Sequence, residues 1–591
     1  MCGIAGLMTA AGRVPDRLAL ERMMAALAHR GPDGHGRYFA GNVAMAHARL
    51  AIIDLATGDQ PLHEPGGGAL IGNGEIYNYV ELRRHPALFG INLRSGSDFE
   101  PPLHLFRRKD LDFLDDLRGM YALALHDVPT GRLILARDPF GIKPLYYVAR
   151  PGLFAFASEP RAFLAAGLID AAVEPACRDE LLEMQFSTGR ETPLRGVHRV
   201  LPGEALIVVD ARVVARRRRR ALPPLDAAAP PASEDDALAR LDAALRDSMT
   251  AHRRADVDCG IFLSAGVDSA VVLAQLVRSG AAPAAAFTVG FSGAGAEASD
   301  ERPAARRLAD RFGIRHVALD FGAADFWTLL PRAADALDDP VADYAALPSL
   351  KLAAEAAGTC KVIFSGEGGD ELFGGYGRYR RAMRPRWRAG RAMRARGTIE
   401  RARVLARRTR NWRDGLAAIE RAEAGGGRSR LQTAQAVDIA GWLPNNILTK
   451  LDRCLMARGI EGRVPLLDAA IADAAFGLPD AFKVRRGRGK WLLRRWLAEA
   501  APEADALAGK RGFTVPVGPW IAAQAERIGP LVARQAGVRE ICTPRAVECL
   551  FARRDGRSSA GQWSLLFYAC WHQRHIVGVA GARDAFEHLA A

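Results

Sequence analysis

The stretch CGIFLSAGVDSAVVLAQL, residues 259–276, sets a strand, a turn and a helix side by side. The apolar run CGIFL has strand length, and SAVVLAQLVRSG continues as an amphipathic helix. Between them lie Ser264-Ala265-Gly266-Val267-Asp268-Ser269, whose small residues let backbone N–H groups approach an anion. The helix that follows adds its positive end. Ser264 and Ser269 can donate to phosphate oxygens, and Asp268 can hold Mg²⁺. The turn lacks the Gly-Lys-Ser/Thr ending of a Walker A loop, so it suits a pyrophosphate rather than a transferred γ-phosphate.

Outward from this turn the same texture repeats. AAAFTVGF (284–291) and CKVIFS (360–365) are further strand-length runs separated by helical stretches, which argues a parallel, helix-covered sheet. A second turn, Ser365-Gly366-Glu367-Gly368-Gly369-Asp370-Glu371, follows the CKVIFS run. Three carboxylates in a glycine-rich turn are costly unless solvated, metal-bound or used. Open α/β sheets bind ligands at the carboxyl ends of their strands. Lys450 and Arg453 lie three residues apart on a helix expected to begin near Asn445. They can pair with acidic neighbours or reach a polyphosphate. The Arg-rich part between Gly377 and Gln435 is expected to be helical and peripheral.

The first 210 residues read differently. MYALALHDVPTGRLILARD (120–138) has apolar runs on both sides of Pro129-Thr130-Gly131-Arg132, a hairpin signal. ALIGNGEIYNY (69–79) and NVAMAHARLAIIDL (42–55) read as strands, and Leu18–Leu27 as a short helix. The expectation is an α+β domain with antiparallel sheets. From Ala215 to Asp236 a run of arginines gives way to prolines and small residues, a linker texture in which the arginines form a solvated segment or an edge strand. Ser233, with Asp236 three residues on, opens the next helix in capping-box fashion. The division expected is therefore 2–210, a linker at 211–235, and 236–591.

At 591 residues the chain exceeds one core, and its 49% hydrophobic and 25% charged composition is that of a soluble globular protein. No window is long and apolar enough to span a membrane, and no secretory signal precedes the first strand, which points to the cytoplasm. The eight cysteines are scattered without a CxxC pair, against a metal framework or a disulfide scaffold. The net charge of +14 raises a nucleic-acid partner, but the arginines lack the interleaved aromatics of a base-stacking surface. Holding anionic substrates accounts for part of that charge.

These motifs together resemble the glutamine-dependent asparagine synthetase family, in order and over nearly the whole chain. The N-terminal set is MCGIAG, HRGPDG (29–34), HARLAIID (47–54), GDQPL, NGEIYN (73–78), SGSDFE (95–100) and ARDPFGIKPLYY (136–147). The C-terminal set is LSAGVDS, FTVGF, SGEGGDELFGGY, the Lys450 helix with RVPLLD, and KRGFTVP. The resemblance implies an α+β N-terminal-nucleophile sandwich, with antiparallel sheets between helices. An α/β parallel-sheet PP-loop ATP pyrophosphatase domain then follows.

It also implies the chemistry. Loss of Met1 would make Cys2 the N-terminal residue, its α-amine serving as base to its own thiol. The thiolate would attack the glutamine side-chain amide and release ammonia. Arg49 would hold the glutamine α-carboxylate, Glu75 and Asp98 the α-ammonium side, and Arg49, Leu50, Ala51, Ile52 and Ile53 would line the pocket. The Asn73 side-chain amide and the Gly74 N–H would form the oxyanion hole. In the second half Ser264, Gly266, Asp268 and Ser269 would cradle the ATP pyrophosphate, with Leu263, Val289, Ser365 and Gly366 against the nucleotide. Asp268 and Asp370 would hold Mg²⁺, Lys450 would neutralise the leaving pyrophosphate, and Glu367 would serve the acyl-adenylate step and deprotonate the attacking ammonium. The acceptor implied is aspartate, with another carboxylate on a natural product, polysaccharide or peptide as the alternative. A homodimer is the family's habit.

Three departures stand out: Ala265 where the family has glycine, Phe99 where it has a small hydroxyl residue, and LPNN opening the Lys450 helix in place of a more acidic version. None removes a catalytic group. A non-catalytic scaffold would require erosion of a set that is intact.

Overall fold

The computed structural model describes residues 2–225, 229–292, 300–384, 394–406, 411–507 and 515–591. The chain opens with β1 (Gly3–Thr9), the helix Arg17–Leu27, β2 (Gly34–Ala40) and β3 (Val43–Arg49). Then come β4 (Leu62–His63), β5 (Gly68–Ile76), β6 (Gly119–Asp127), β7 (Arg132–Arg137), β8 (Tyr146–Arg150) and β9 (Leu153–Ala157). The series closes with β10 (His198–Arg199), β11 (Glu204–Val209) and β12 (Arg212–Arg218). These strands form two antiparallel sheets, in the orders β10-β8-β9-β1-β3-β2 and β12-β11-β7-β6-β5-β4.

Alternation along the strands explains why the sheets stack. Ile4 and Met8 of β1 face Ile71, Ala124 and Leu135 in a core shared by both sheets. Their neighbours Ala5 and Leu7 point the other way, onto Leu20, Met23 and Leu27 of the helix Arg17–Leu27. On the far side Leu70, Leu123 and Leu125 pack against Leu103 and Phe106 of the helix Glu100–Lys109. The result is a four-layer sandwich of helix, sheet, sheet and helix.

The second half holds one parallel sheet: β13 (Cys259–Phe262), β14 (Ala286–Phe291), β15 (His316–Phe321), β16 (Val362–Phe364) and β17 (Glu461–Arg463). Its order is β15-β14-β13-β16-β17, and every pairing is parallel. The chain runs outward from β13 to one edge, returns, and runs through β16 to the other. The direction therefore reverses between β13 and β16, the place where open α/β sheets bind ligands. Both glycine-rich turns leave the carboxyl ends of these two strands.

Four expectations are corrected. β12 continues the second antiparallel sheet to Arg218, inside the segment read as linker, because its arginines find acids: Arg217 pairs with Asp112 and Asp115, and Arg216 with Glu204. The strand read over 42–55 ends at Arg49, and Leu50–Leu55 runs on as irregular chain with Asp54 at φ +53°. The Lys450 helix (Thr449–Met456) does not start near Asn445; it continues an α-helical segment Arg430–Val437 through a π-helical stretch Asp438–Leu448. The Arg-rich part is helical over Gly377–Ala382, Thr398–Ala402 and Asp414–Glu423, yet not wholly peripheral. Tyr379 is fully buried, and Arg378 stacks on Tyr376 while pairing with Asp438.

The Ser233 cap forms, its hydroxyl accepting from the Asp236 N–H; Asp236 accepts from Ala232 rather than from the cap residue. Among the described residues all eight cysteines are unbridged, and no helix is long and apolar enough to cross a membrane.

Candidate active sites

Cys2 is buried where β1 begins, against Asn73 of β5 in the facing sheet. Its backbone nitrogen donates to Asn73 Oδ1 at 3.0 Å, and its Sγ lies 3.9 Å from the Leu50 carbonyl oxygen. The other end of that Asn73 amide, Nδ2, is buried with no hydrogen-bond partner. A buried donor left unmade costs about 1–3 kcal/mol, and Asn73 carries that cost directly beside Cys2. Gly74 beside it has φ +131°, and a Cβ there would sit 1.9 Å from the Met120 carbonyl oxygen. Only glycine lets the backbone turn at that point. Burial pushes the Cys2 thiol pKa up, and the chain's positive amino terminus pulls it the other way.

Around this centre stand the residues named from the sequence. Arg49 binds Asp59 at 2.8 Å and the Asp54 carbonyl oxygen at 2.5 Å. Asp59 is a solvent-exposed partner, its side chain 81% exposed. Leu50, Ala51 and Ile52 are buried, with Ile53 half-buried behind them. Asp98 accepts from the Ile76 N–H at 2.7 Å, and Glu75 lies 3.5 Å from Arg463 of β17. Burial, with Glu461 close by, raises Asp98 to about 7, and burial with Glu461 and Asp98 raises Glu75 well above the usual carboxylate range. Glu461 goes the opposite way: burial is outweighed by the amino terminus, Arg463 at 2.6 Å and Lys143, which hold it down to about 2.

In the second half the first turn closes on itself. Ser264 N–H donates to Ser269 Oγ at 3.1 Å, the two hydroxyl oxygens are 3.0 Å apart, and Gly266 N–H donates to Ser264 Oγ at 3.0 Å. Ala265 is not among the residues with positive φ, so its methyl carries no backbone strain. The second turn packs onto the first: a Cβ on Gly366 would lie 2.8 Å from the Ser269 nitrogen, and one on Gly369 2.4 Å from Asp268 Oδ1. Leu263, just past β13, and Val289, inside the neighbouring β14, are buried, and Ser365 N–H donates to the Arg463 carbonyl at 2.9 Å.

Asp268 and Asp370 do converge. Both carboxylates contact the Lys490 ammonium, Asp370 at 2.8 Å. A Cβ on Gly375 would fall 1.9 Å from Asp370 Oδ1 and 2.3 Å from Lys490 Cε, so glycine keeps this cradle clear. Two hard carboxylate oxygens facing one cation position match what Mg²⁺ takes from a protein that leaves the rest to water and phosphate. Lys450 pairs with Asp343 at 2.8 Å. Burial raises the Glu367 pKa, with Lys450 drawing it down and Asp343, Asp370 and Asp268 adding to the rise. Arg453, the second cation read from the helix, pairs instead with Asp338 at 3.0 Å, Asp452 and Glu159.

That helix joins the two sites. Arg30 is fully buried; its Nε donates to the Cys2 carbonyl at 3.1 Å, and its Nη1 reaches Glu159 at 2.7 Å and Asp452 at 2.8 Å. Asp452 is two residues from Lys450 on the same helix. Sequence reasoning missed the roles of Arg30, Asp343 and Lys490. Arg30 lies within HRGPDG and was legible there, whereas Asp343 and Lys490 carry no local signal. Residues 510–514 of the KRGFTVP motif lie outside the described residues.

Comparison with known proteins meets this geometry. The asparagine synthase profile matches residues 240–573, and the glutamine amidotransferase domain profile residues 1–218. The chain belongs to the asparagine synthase family. The asparagine synthetase 1 of Bacillus subtilis, glutamine-hydrolysing by name, is 29% identical over 98% of this chain and 97% of its own. A Mycobacterium bovis chain provisionally given the same name is 32% identical over 94% and 93%. An amidase of Gibberella zeae is 32% identical over 64% of this chain and 60% of its own. The protein is thus a glutamine-dependent amidotransferase of the asparagine synthetase type, a ligase that uses ATP.

Proposed function

We propose that the chain hydrolyses glutamine at Cys2 and passes the ammonia to a carboxyl group activated as an acyl-adenylate in the second half, with aspartate as acceptor and asparagine, AMP, pyrophosphate and glutamate as products. The observation that carries the first half is Asn73, bonded through Oδ1 to the Cys2 nitrogen while Nδ2 waits unpartnered. With Met1 removed, that nitrogen is an α-amine and takes the proton of the Cys2 thiol. The thiolate attacks the amide carbon of glutamine. The oxyanion that forms receives Asn73 Nδ2 and the Gly74 N–H. Ammonia leaves with the proton from the amine, and water then releases glutamate from the thioester. Arg49 exchanges its exposed partner Asp59 for the substrate α-carboxylate. The α-ammonium enters between Glu75 and Asp98, whose pKa values are raised chiefly by burial and which gain from an added positive charge.

In the second half the turns Ser264–Ser269 and Ser365–Asp370 hold the triphosphate. The acceptor carboxylate attacks the α-phosphorus, and pyrophosphate leaves toward Lys450 and Lys490. Asp268 and Asp370 would hold Mg²⁺, which when bound screens the phosphate charge. Ammonia attacks the acyl carbon, Glu367 takes the surplus proton, and AMP departs.

A second reading keeps this chemistry and changes the acceptor, favoured by the match to a fungal amidase across 64% of the chain. Pyrophosphate release measured across a panel of carboxylic acids, with glutamine and with ammonium, decides between them. Release confined to aspartate supports asparagine synthesis; release with another acid alone replaces it.

A further inference from the structure

Lys490 is a basic residue in an unusual place. It is buried, with 5% exposure, at the start of the helix Trp491–Ala500, and its backbone adopts the left-handed conformation at φ +60°, ψ +33°. Side chains other than glycine and asparagine rarely take that conformation without a reason in the surroundings. Here the surroundings fix it from both ends: Lys490 N–H donates to the Phe373 carbonyl at 3.0 Å, and the Arg494 N–H donates back to the Lys490 carbonyl at 2.9 Å. The stem lies over Gly375, where a Cβ would come within 2.3 Å of Cε. The ammonium is thereby delivered between Asp268, from the first turn, and Asp370, from the second.

This is the position that the preceding reading gives to a divalent ion. A small dication held at about 2.1 Å from carboxylate oxygens and an ammonium in contact with the same oxygens repel each other strongly in a partly desolvated site. Ejecting the ammonium alone breaks two charge-assisted hydrogen bonds and leaves a buried cation without an anion. An incoming phosphate removes that obstacle, because its oxygens accept the ammonium as it leaves the aspartates. We infer that Lys490 occupies the cation seat of the nucleotide-free enzyme, so that metal loads only together with a phosphate group that draws the ammonium off Asp268 and Asp370. Metal and nucleotide then enter as one unit, and neither aspartate is exposed as a free carboxylate between turnovers. The inference rests on the reading of these turns as the nucleotide site.

Mn²⁺ binding to the full, nucleotide-free chain tests it, read by electron paramagnetic resonance. The wild type is expected to bind Mn²⁺ at this site no better than the millimolar range. Lys490→Met and Lys490→Gln are expected to bind at least tenfold more tightly, Lys490→Arg to stay as weak as the wild type, and Asp268→Asn placed on Lys490→Met to abolish the gain. Circular dichroism checks that each variant is folded. Tight Mn²⁺ binding by the nucleotide-free wild type overturns the inference even if no variant folds, and so does a folded Lys490→Met with unchanged affinity. Binding of a non-hydrolysable ATP analogue to the wild type with Mg²⁺ separates the two failures: if it binds, only the exchange is wrong, and if it does not, the nucleotide site itself is.

Discussion

Replacing Asn73 by Asp separates its two jobs. The carboxylate keeps an oxygen for the Cys2 nitrogen, now accepted at 3.0 Å by Oδ1, but removes the Nδ2 donor and puts negative charge beside the developing oxyanion. Nδ2 has no partner in the resting protein, and on the proposed reading its bond forms with the tetrahedral intermediate. Interactions of that kind act on kcat rather than on KM. Loss of one such donor costs about 2.7–4 kcal/mol, or about 10²–10³ in kcat. Asn73→Asp is therefore expected to lower glutaminase kcat by at least about 10², with the KM for glutamine within about threefold. Asn73→Ala should lose a similar amount and some stability besides, since it also strands the Cys2 nitrogen. Glutamate release at saturating and subsaturating glutamine measures both constants. A variant that keeps more than about a tenth of the wild-type kcat, or whose whole defect lies in KM, would refute the oxyanion assignment.

Other outcomes follow from the same coordinates. Burial, with Glu461 close by, raises the Asp98 pKa to about 7, so on the proposed reading it must lose a proton to receive the glutamine ammonium. Glutaminase kcat/KM should then fall about tenfold per pH unit below about pH 7, the sign expected of a raised carboxyl that works ionised, and Asp98→Asn should flatten that limb. Asp452→Asn leaves the buried Arg30 with one carboxylate fewer, at a cost of about 3–5 kcal/mol for breaking a buried pair, read as a lower denaturant midpoint; an unchanged midpoint would mean that the pair is relaxed or hydrated. Asp268→Asn should stop ATP-dependent pyrophosphate release while leaving glutamine hydrolysis measurable, and full release would take Asp268 out of the nucleotide site.

How much of this was legible in the sequence depends on the range of the forces involved. The hairpin around Pro129–Arg132 and the strand–turn–helix at 259–276 are local, set by periodicity and turn residues, and both form as read. β12 was lost in the linker because five consecutive arginines look solvated until Asp112, Asp115 and Glu204 are brought opposite them from elsewhere in the chain. Arg453 and Lys450 look equivalent on a helical wheel. Only the packing shows that one faces Asp343 beside Glu367 and the other faces Asp338 and Glu159. The same holds for Lys490, whose partners are Asp268 and Asp370 on turns far back in the chain. Ala265 illustrates the converse: a departure from the family pattern carries no backbone strain, because its φ is not positive.

The division of labour between the halves is tested most directly by Cys2→Ala, assayed for amide product with glutamine and, separately, with ammonium. Glutamine-dependent product should vanish while ammonium-dependent product persists near the wild-type rate. Product from glutamine at an undiminished rate, or loss of both activities in a folded variant, would contradict the account.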